Sequence, residues 1–329
     1  MKRVAIGLVL ACLAVYGLLH FFAHQDNPKY SGGKSVQFTK GTSSRELGLI
    51  LSKAGVVRSP WHFWAARLLH SRSKIMAGDY SFDKRETPEQ IMMRLIRGEV
   101  VFYTLVVPEG YNIYDIGKSL ESQGFFSADD FVAQARNPAM IQDLAPKSTS
   151  LEGFLFPSTY HLAYHTRPEQ VCRMMTNEFR RQWKELGATA DPLRTVTLGS
   201  LVEKETAVKD ERATVASVFE NRLERGIKLD CDPTVAYAAL LIGSWRGKIY
   251  KSDLNRAHPY NTYKVAGLPP GPIANPGLAS LRAALKPAES KYIYFVAKAD
   301  GTGQHNFAAT LADHRKNVEQ YRRGLKPNK

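Results

Sequence analysis

A carboxylate on the inner face of a helix is the group best placed to do chemistry in this chain. Leu198, Leu201, Val202 and Val208 mark an apolar stripe at helical spacing, and Glu205 falls on it, three residues after Val202 and four after Leu201. Glu203 lies roughly 160° away, at about 100° per residue, and is expected to face solvent. A carboxylate on a buried face is costly unless it is neutral, paired or used. Partial burial raises its pKa, which suits a general acid working near neutral pH. The alternative is a structural glutamate that pairs with an arginine or caps a loop. Downstream, residues Leu229 to Pro276 are punctuated by proline and glycine and hold Tyr, Asn, Asp and Thr at irregular spacing. Long loops of this kind in a compact enzyme often bind substrate. Aromatic rings with amide and hydroxyl groups suit a sugar cleft, the rings stacking on pyranose faces and the polar tips bonding hydroxyls. A structural loop fixed by Asx-turns and prolines is the alternative.

The elements that must position these residues belong to a folded chain. Its 329 residues, 44% hydrophobic and 10% aromatic, give room for two domains and a sizeable core. The net charge of +14 suggests an anionic partner, whether a membrane surface, nucleic acid or an acidic polymer. No zinc-finger spacing, RNP-like strand or GxxxxGK[ST] loop supports nucleic acid or nucleotide, so no nucleic-acid partner is expected. Lys2 and Arg3 precede an apolar run from Val4 to Ala23, long enough to span a bilayer. The positive flank places the amino terminus in the cytoplasm and the rest outside it. The absence of a good A-x-A before His24 favours an uncleaved anchor over a signal peptide. Cys12 then lies in the membrane segment. Cys172 and Cys231 lie outside, where a disulfide is permitted, although buried apolar filling is the stronger reading. With no CxxC and no histidine at ligand spacing, neither a metal nor a cofactor is expected.

The predicted fold class is α+β: an N-terminal transmembrane helix, a small α/β subdomain and a mixed α+β catalytic domain. The predicted bounds are an anchor over 1–24, a polar tether over 25–35, the subdomain over 36–104, the catalytic domain over 105–325 and a basic tail over 326–329. In the subdomain, Val36 to Phe38 alternates like a strand. Ser43 and Glu46 form a capping box before a helix that buries Leu47, Ile50, Leu51 and Ala54 and stops at Gly55. Trp61, Phe63, Trp64 and Leu68 lie on a second helix-like stretch whose aromatics are expected in the core. A strand over Gly78 to Phe82 and a helix opened by Thr87-Pro88-Glu89-Gln90 follow. Gly41, Glu46, Leu47, Leu51 and Gly55 recur 69 positions on as Gly110, Asp115, Ile116, Leu120 and Gly124, each set after a strand-like run. Beyond it come helices from Pro168 to Trp183, through Glu205, and from Glu211 to Leu223. A strand over Tyr292 to Ala297 and a closing helix over Thr310 to Tyr321 complete the chain.

Several ordered motifs carry a resemblance. They are Glu152-Gly153-Phe154, Glu203-Lys204-Glu205-Thr206-Ala207, Val215 to Phe219 with Asn221-Arg222-Leu223, Asp232-Pro233-Thr234-Val235, Tyr260-Asn261-Thr262-Tyr263, Gly267 to Ile273, Asn275-Pro276-Gly277 and Tyr292 to Ala297. In these the chain resembles the endolytic murein transglycosylases of the YceG-like (MltG) family over essentially its whole length. The strand, glycine turn and capped helix of the subdomain also resemble half of a LysM glycan-binding module. The family resemblance implies a single inner-membrane helix, a LysM-like segment and an extracytoplasmic catalytic domain. It further implies cleavage inside peptidoglycan glycan strands, between N-acetylmuramic acid and N-acetylglucosamine, with peptidoglycan synthases as partners in the same membrane. The family's catalytic glutamate maps onto Glu205, and Tyr160, Asn221, Asp232, Tyr260, Asn261 and Tyr263 are the expected substrate-binding residues. The family's FPDTY is Phe156-Pro157-Ser158-Thr159-Tyr160 here, which removes its aspartate. Its late His-Asn is His314-Arg315, a segment assigned no function. A water-using muramidase, with Asp210, Glu211 or Asp232 as second carboxylate, and a non-catalytic glycan-binding scaffold are the rival functions.

Overall fold

The computed structural model describes residues 2–163 and 166–325; the expected tail over 326–329 lies outside them. The fold is mixed α+β and divides into two compact units, residues 1–104 with 161–166, and 105–160 with 167–329. In chain order the elements are α1 (Lys2–Ala23), β1 (Lys34–Phe38), α2 (Ser44–Lys53), α3 (Pro60–Leu69), β2 (Gly78–Phe82), α4 (Pro88–Arg97), β3 (Tyr103–Val106), α5 (Ile113–Ser122), α6 (Ala128–Ala135), β4 (Thr159–Leu162), α7 (Pro168–Glu185), α8 (Pro192–Glu205), α9 (Arg212–Glu224), α10 (Asp232–Leu241), α11 (Lys251–Asn255), α12 (Leu278–Leu285), β5 (Tyr294–Ala297), β6 (His305–Ala308) and α13 (Leu311–Gly324). Strands pair as β1 with β2, β3 with β4 and β5 with β6.

The first unit is built on the antiparallel β1–β2 pair, with Val36 opposite Tyr80 and Phe38 opposite Gly78. The inward side chains of both strands pack with Leu47, Leu51, Phe63, Ile91 and Leu95 from α2, α3 and α4. Thr87 and Gln90 form a full capping box at α4, and Gly98 closes that helix in the left-handed region. At α2 only half the expected box is present: Ser43 accepts from the Glu46 N–H, without the return bond. Trp61, expected in the core, is 70% exposed, and Leu68 is 60% exposed. Helix α3 buries its His62, Phe63 and Ala66 side, which leaves residues 61 and 68, two turns apart, outside. Helix α1 is long and apolar enough to cross a membrane, and its last residue, Ala23, is buried against this unit. The Phe22 ring stands edge-on to His62 at 5.3 Å. The stretch expected as a tether is pinned by side chains: Asn27 donates to the Gly55 carbonyl at 2.7 Å and Tyr30 to that of Phe82 at 2.6 Å.

In the second unit α8 is the central element. Leu198, Leu201 and Val202 join Val215 and Phe219 of α9, Tyr237 of α10, Ala283 of α12 and Ile273 from the loop before it in one cluster. Phe154 meets Phe179 edge-on at 5.0 Å and Phe179 stacks on Trp183 at 5.8 Å, which fixes α7. The stretch read as a long loop over 229–276 holds α10 and α11. Asp232-Pro233, taken there as loop punctuation, is the first turn of α10, where proline's missing N–H is harmless. Gly153 lies between α8 and the 267–276 loop with φ +85°. A Cβ there would stand 2.5 Å from Pro272 Cγ and 2.6 Å from Val196 Cγ1, so only glycine fits.

Candidate active site

Glu205 is the last residue of α8. The helix stops because Thr206 turns to extended backbone, its N–H still bonded to the Val202 carbonyl at 3.2 Å. Thr206 Oγ1 then accepts from the Val208 N–H at 3.0 Å, so Val208 lies beyond the helix rather than on its stripe. Residues 195–202 of α8 are buried without interruption. The expectation that Glu203 faces solvent therefore fails: near its end α8 exposes Lys204, while the Glu203 side turns toward α9. Glu203 is buried against Arg212 of α9, with Oε1 to Nη2 at 3.0 Å, and its Oε2 accepts from the Gly277 N–H at 3.0 Å.

The Glu205 carboxyl sits beside Cys231, whose thiol donates to Oε1 at 3.1 Å. Burial holds this carboxyl above its ordinary value, the Cys231 hydrogen bond opposes that, the charge of Asp232 adds to it, and His305 and Arg222 pull it down. Its place at a helix C-terminus also favours the neutral form. Cys12, Cys172 and Cys231 are all free thiols. Cys231 is more than the apolar filler expected from sequence, since it bonds a carboxylate; Cys172 is buried among apolar neighbours in α7.

Of the expected binding residues, Asp232 and Tyr263 lie together beside Cys231, and Tyr260 lies against α10. Asp232 follows Cys231, and its Oδ1 accepts from the Tyr263 hydroxyl at 2.6 Å. Burial and the Asp232 charge both push the Tyr263 phenol up. Asp232 also lines a cleft of about 390 Å³ with Lys118, Lys204, Tyr237 and Trp245. Tyr260 packs on Tyr237 at 5.2 Å, and burial pushes its phenol up to about 12.

Three other expected binding residues spend their polar groups on the main chain. Tyr160 is buried and its hydroxyl donates to the Phe156 carbonyl at 2.5 Å. Asn221 donates to the Ser290 and Tyr292 carbonyls at 2.9 and 2.8 Å, beside a separate cleft lined by Arg194, Glu220 and Ser290. Buried Asn261 donates to the carbonyls of Asp253, Leu254 and Arg256 and accepts from the Tyr263 N–H, which fixes the turn that presents Tyr263.

Sequence reasoning named Glu152 and Glu211 but not the partners that gather them into two clusters. Glu152 accepts from the Ile113 N–H at 3.1 Å, the Tyr237 hydroxyl at 2.9 Å and the Asn275 amide at 3.1 Å, tying α5, α10 and the 267–276 loop together. Burial pushes its carboxyl up to about 8, against the pull of those donors. Its signal was a lone carboxylate inside the apolar run from Leu151 to Phe156. The second cluster is His305 of β6, whose N–H and Nδ1 meet the two Glu211 oxygens, each at 2.9 Å. His314, assigned no function, stacks its ring on Tyr294 at 4.9 Å.

Comparison with known proteins places this architecture. The chain is 32% identical over 310 residues to the endolytic murein transglycosylase of Bacillus subtilis (strain 168), covering 87% of this chain and 84% of that one. It is 30% identical over 322 residues to that of Streptococcus pneumoniae serotype 2, where the alignment takes in 87% of this chain and 58% of the relative. The crystal structure of a YceG-like protein from Listeria monocytogenes superposes with a TM-score of 0.56 at 30% identity, over 87% of this chain and 99% of that one. The YceG-like family profile matches residues 36–320, a span that includes the β1–β2 unit, the Glu205 helix and the β5–β6 pair, and the chain therefore belongs to the YceG-like family.

Proposed function

We propose that this chain is a membrane-anchored endolytic lytic transglycosylase of peptidoglycan. It cleaves the MurNAc–GlcNAc bond within glycan strands, leaves 1,6-anhydro-MurNAc ends and terminates nascent strands. The observation that carries the chemistry is one carboxyl, Glu205, held at a buried helix end and biased toward its protonated form. Glu205 donates its proton to the glycosidic oxygen as C1 gains oxocarbenium character. The resulting carboxylate takes the proton of the muramic acid C6 hydroxyl, whose oxygen closes on C1. The bond from C1 to the leaving oxygen breaks as the bond from C1 to O6 forms, and no water is consumed. Asp232, Tyr263 and Tyr260 are assigned to substrate binding, with Asn261 supporting the turn that carries Tyr263; Tyr160 and Asn221, tied to main-chain carbonyls, are assigned supporting roles elsewhere in the unit.

The rival muramidase needs a second carboxylate free to activate water. Both Glu211 oxygens are engaged by His305 and one Asp232 oxygen by Tyr263, which disfavours two of its three candidates, Asp210 being the third. The apolar α1 supports a single-pass inner-membrane location, amino terminus in the cytoplasm and catalytic unit in the periplasm, beside peptidoglycan synthases. The repeated strand, glycine turn and capped helix supports the LysM-like reading of 36–104, with glycan strands as its partner.

The test is digestion of purified peptidoglycan by the detergent-solubilised full chain, with mass spectrometry of the products beside a Glu205→Gln control. Internal fragments ending in anhydro-muramic acid, absent from the control, are expected. Reducing ends would mean a muramidase, and a Glu205→Gln chain with full cleavage activity would sink the mechanism.

A further inference from the structure

We propose that Cys231 is a positioning residue for Glu205, its thiol orienting one carboxyl oxygen so that the other faces the substrate; this rests on Glu205 being the proton donor. The contact is Sγ to Oε1 at 3.1 Å, and Cys231 is 2% exposed. The residue is held from both sides of its backbone. Its N–H donates to Thr262 Oγ1 at 3.0 Å, and its carbonyl accepts from Thr234 Oγ1 at 2.7 Å. The two threonine hydroxyls meet at 2.9 Å, so the start of α10 and the Tyr263 turn move as one piece. The thiol therefore has a fixed origin from which to hold Glu205, and Asp232 and Tyr263 are set by the same framework.

The choice of sulfur has a consequence for the acid. Burial, and then the nearby Glu205 charge, push the Cys231 thiol well up, so it remains a protonated donor throughout the working range. A thiol is a weak donor, and a hydroxyl in its place would favour the carboxylate more strongly. The other charged groups that act on Glu205 are Asp232 of α10, Arg222 of α9 and His305 of β6, the last already paired with Glu211. All of these stay in place when position 231 is changed. A donor to the carboxylate favours its charged form, so removing it raises the Glu205 pKa and strengthening it lowers that pKa. Because cleavage needs the protonated acid, the alkaline limb of the rate profile moves the same way.

The experiment is the pH profile of kcat on purified peptidoglycan for the full chain in detergent, with Cys231→Ala and Cys231→Ser, each shown folded by circular dichroism. The alkaline limb should move up by roughly 0.5–1 pH unit in Cys231→Ala and down by a similar amount in Cys231→Ser. A second readout needs no activity. At a pH above the alkaline limb, where Glu205 is ionised, the S–H stretching band assigned by difference against Cys231→Ala should rise in frequency in Glu205→Gln, where a neutral amide accepts less strongly than a carboxylate. Coincident limbs in all three chains, with an unmoved band and an inactive Glu205→Gln, would overturn the positioning role alone. A fully active Glu205→Gln would overturn the proton-donor reading and this role with it.

Discussion

Replacing Arg212 with methionine tests whether the end of the α8 helix is held by one buried ion pair. The Arg212 and Glu203 side chains are 5% and 6% exposed, so solvent does little to screen them. Arg212 Nη2 is 3.0 Å from Glu203 and 3.4 Å from Glu109, while its Nε and Nη1 have no partner among the described residues. Methionine keeps much of the volume but leaves the Glu203 carboxylate buried with only the Gly277 N–H for company. Removing one partner of such a pair costs about 3–5 kcal/mol, a large part of the roughly 5–15 kcal/mol that holds a domain together. At roughly 2–4 °C per kcal/mol, the melting temperature should fall by roughly 6–20 °C. Adding Glu203→Gln removes the stranded charge and leaves an amide oxygen for Gly277, so the double variant should recover at least half of the loss. Thermal melts of the full chain in detergent, followed by near-ultraviolet circular dichroism, give all four corners of the cycle. A loss under about 1 kcal/mol in Arg212→Met, or a double variant as unstable as the two single losses added together, would refute the argument.

Gly153→Ala should cost about 2–5 kcal/mol, from a left-handed backbone and a Cβ driven into Pro272 and Val196, read as a lowered urea midpoint. Glu152 is held neutral by burial, with a carboxyl raised from 4.5 to about 8. The folded state thus binds its proton more tightly, and stability is lost as pH rises between those values, by about 5 kcal/mol at about 1.4 kcal/mol per pH unit. Glu152→Gln should flatten that decline relative to the parent when melts at pH 5 and pH 8 are compared; parallel slopes would contradict it. Thr87→Ala should cost about 1 kcal/mol through the lost capping bond to Gln90, a loss that Thr87→Ser should mostly avoid in the same melts.

Local chemistry was legible where a partner lay within a few residues. Thr87 and Gln90 announced α4, and the strand at Gly78 to Phe82 followed from alternation. Periodicity failed at Glu203 because it assigns a charged residue off the apolar stripe to solvent, whereas this charge is met by Arg212 from the next helix. The same assumption misplaced Trp61, since aromatic content says nothing about which side of α3 meets the core. At the candidate site the placement of Glu205 on an inner face was readable, but its thiol partner, 26 residues on, was not. Nor does a sequence tell whether an asparagine such as Asn261 offers its amide to a sugar or to three carbonyls of its own turn.

The junction between α1 and the first unit carries a mechanical consequence. Ala23 is buried, Phe22 lies on His62, and Asn27 and Tyr30 bolt the following residues to the β1–β2 unit, so there is no slack at the joint. With α1 upright in a bilayer, that unit cannot float on a leash. It stands like a fixed post whose height above the lipid is set by its own width, and it turns only when the helix turns.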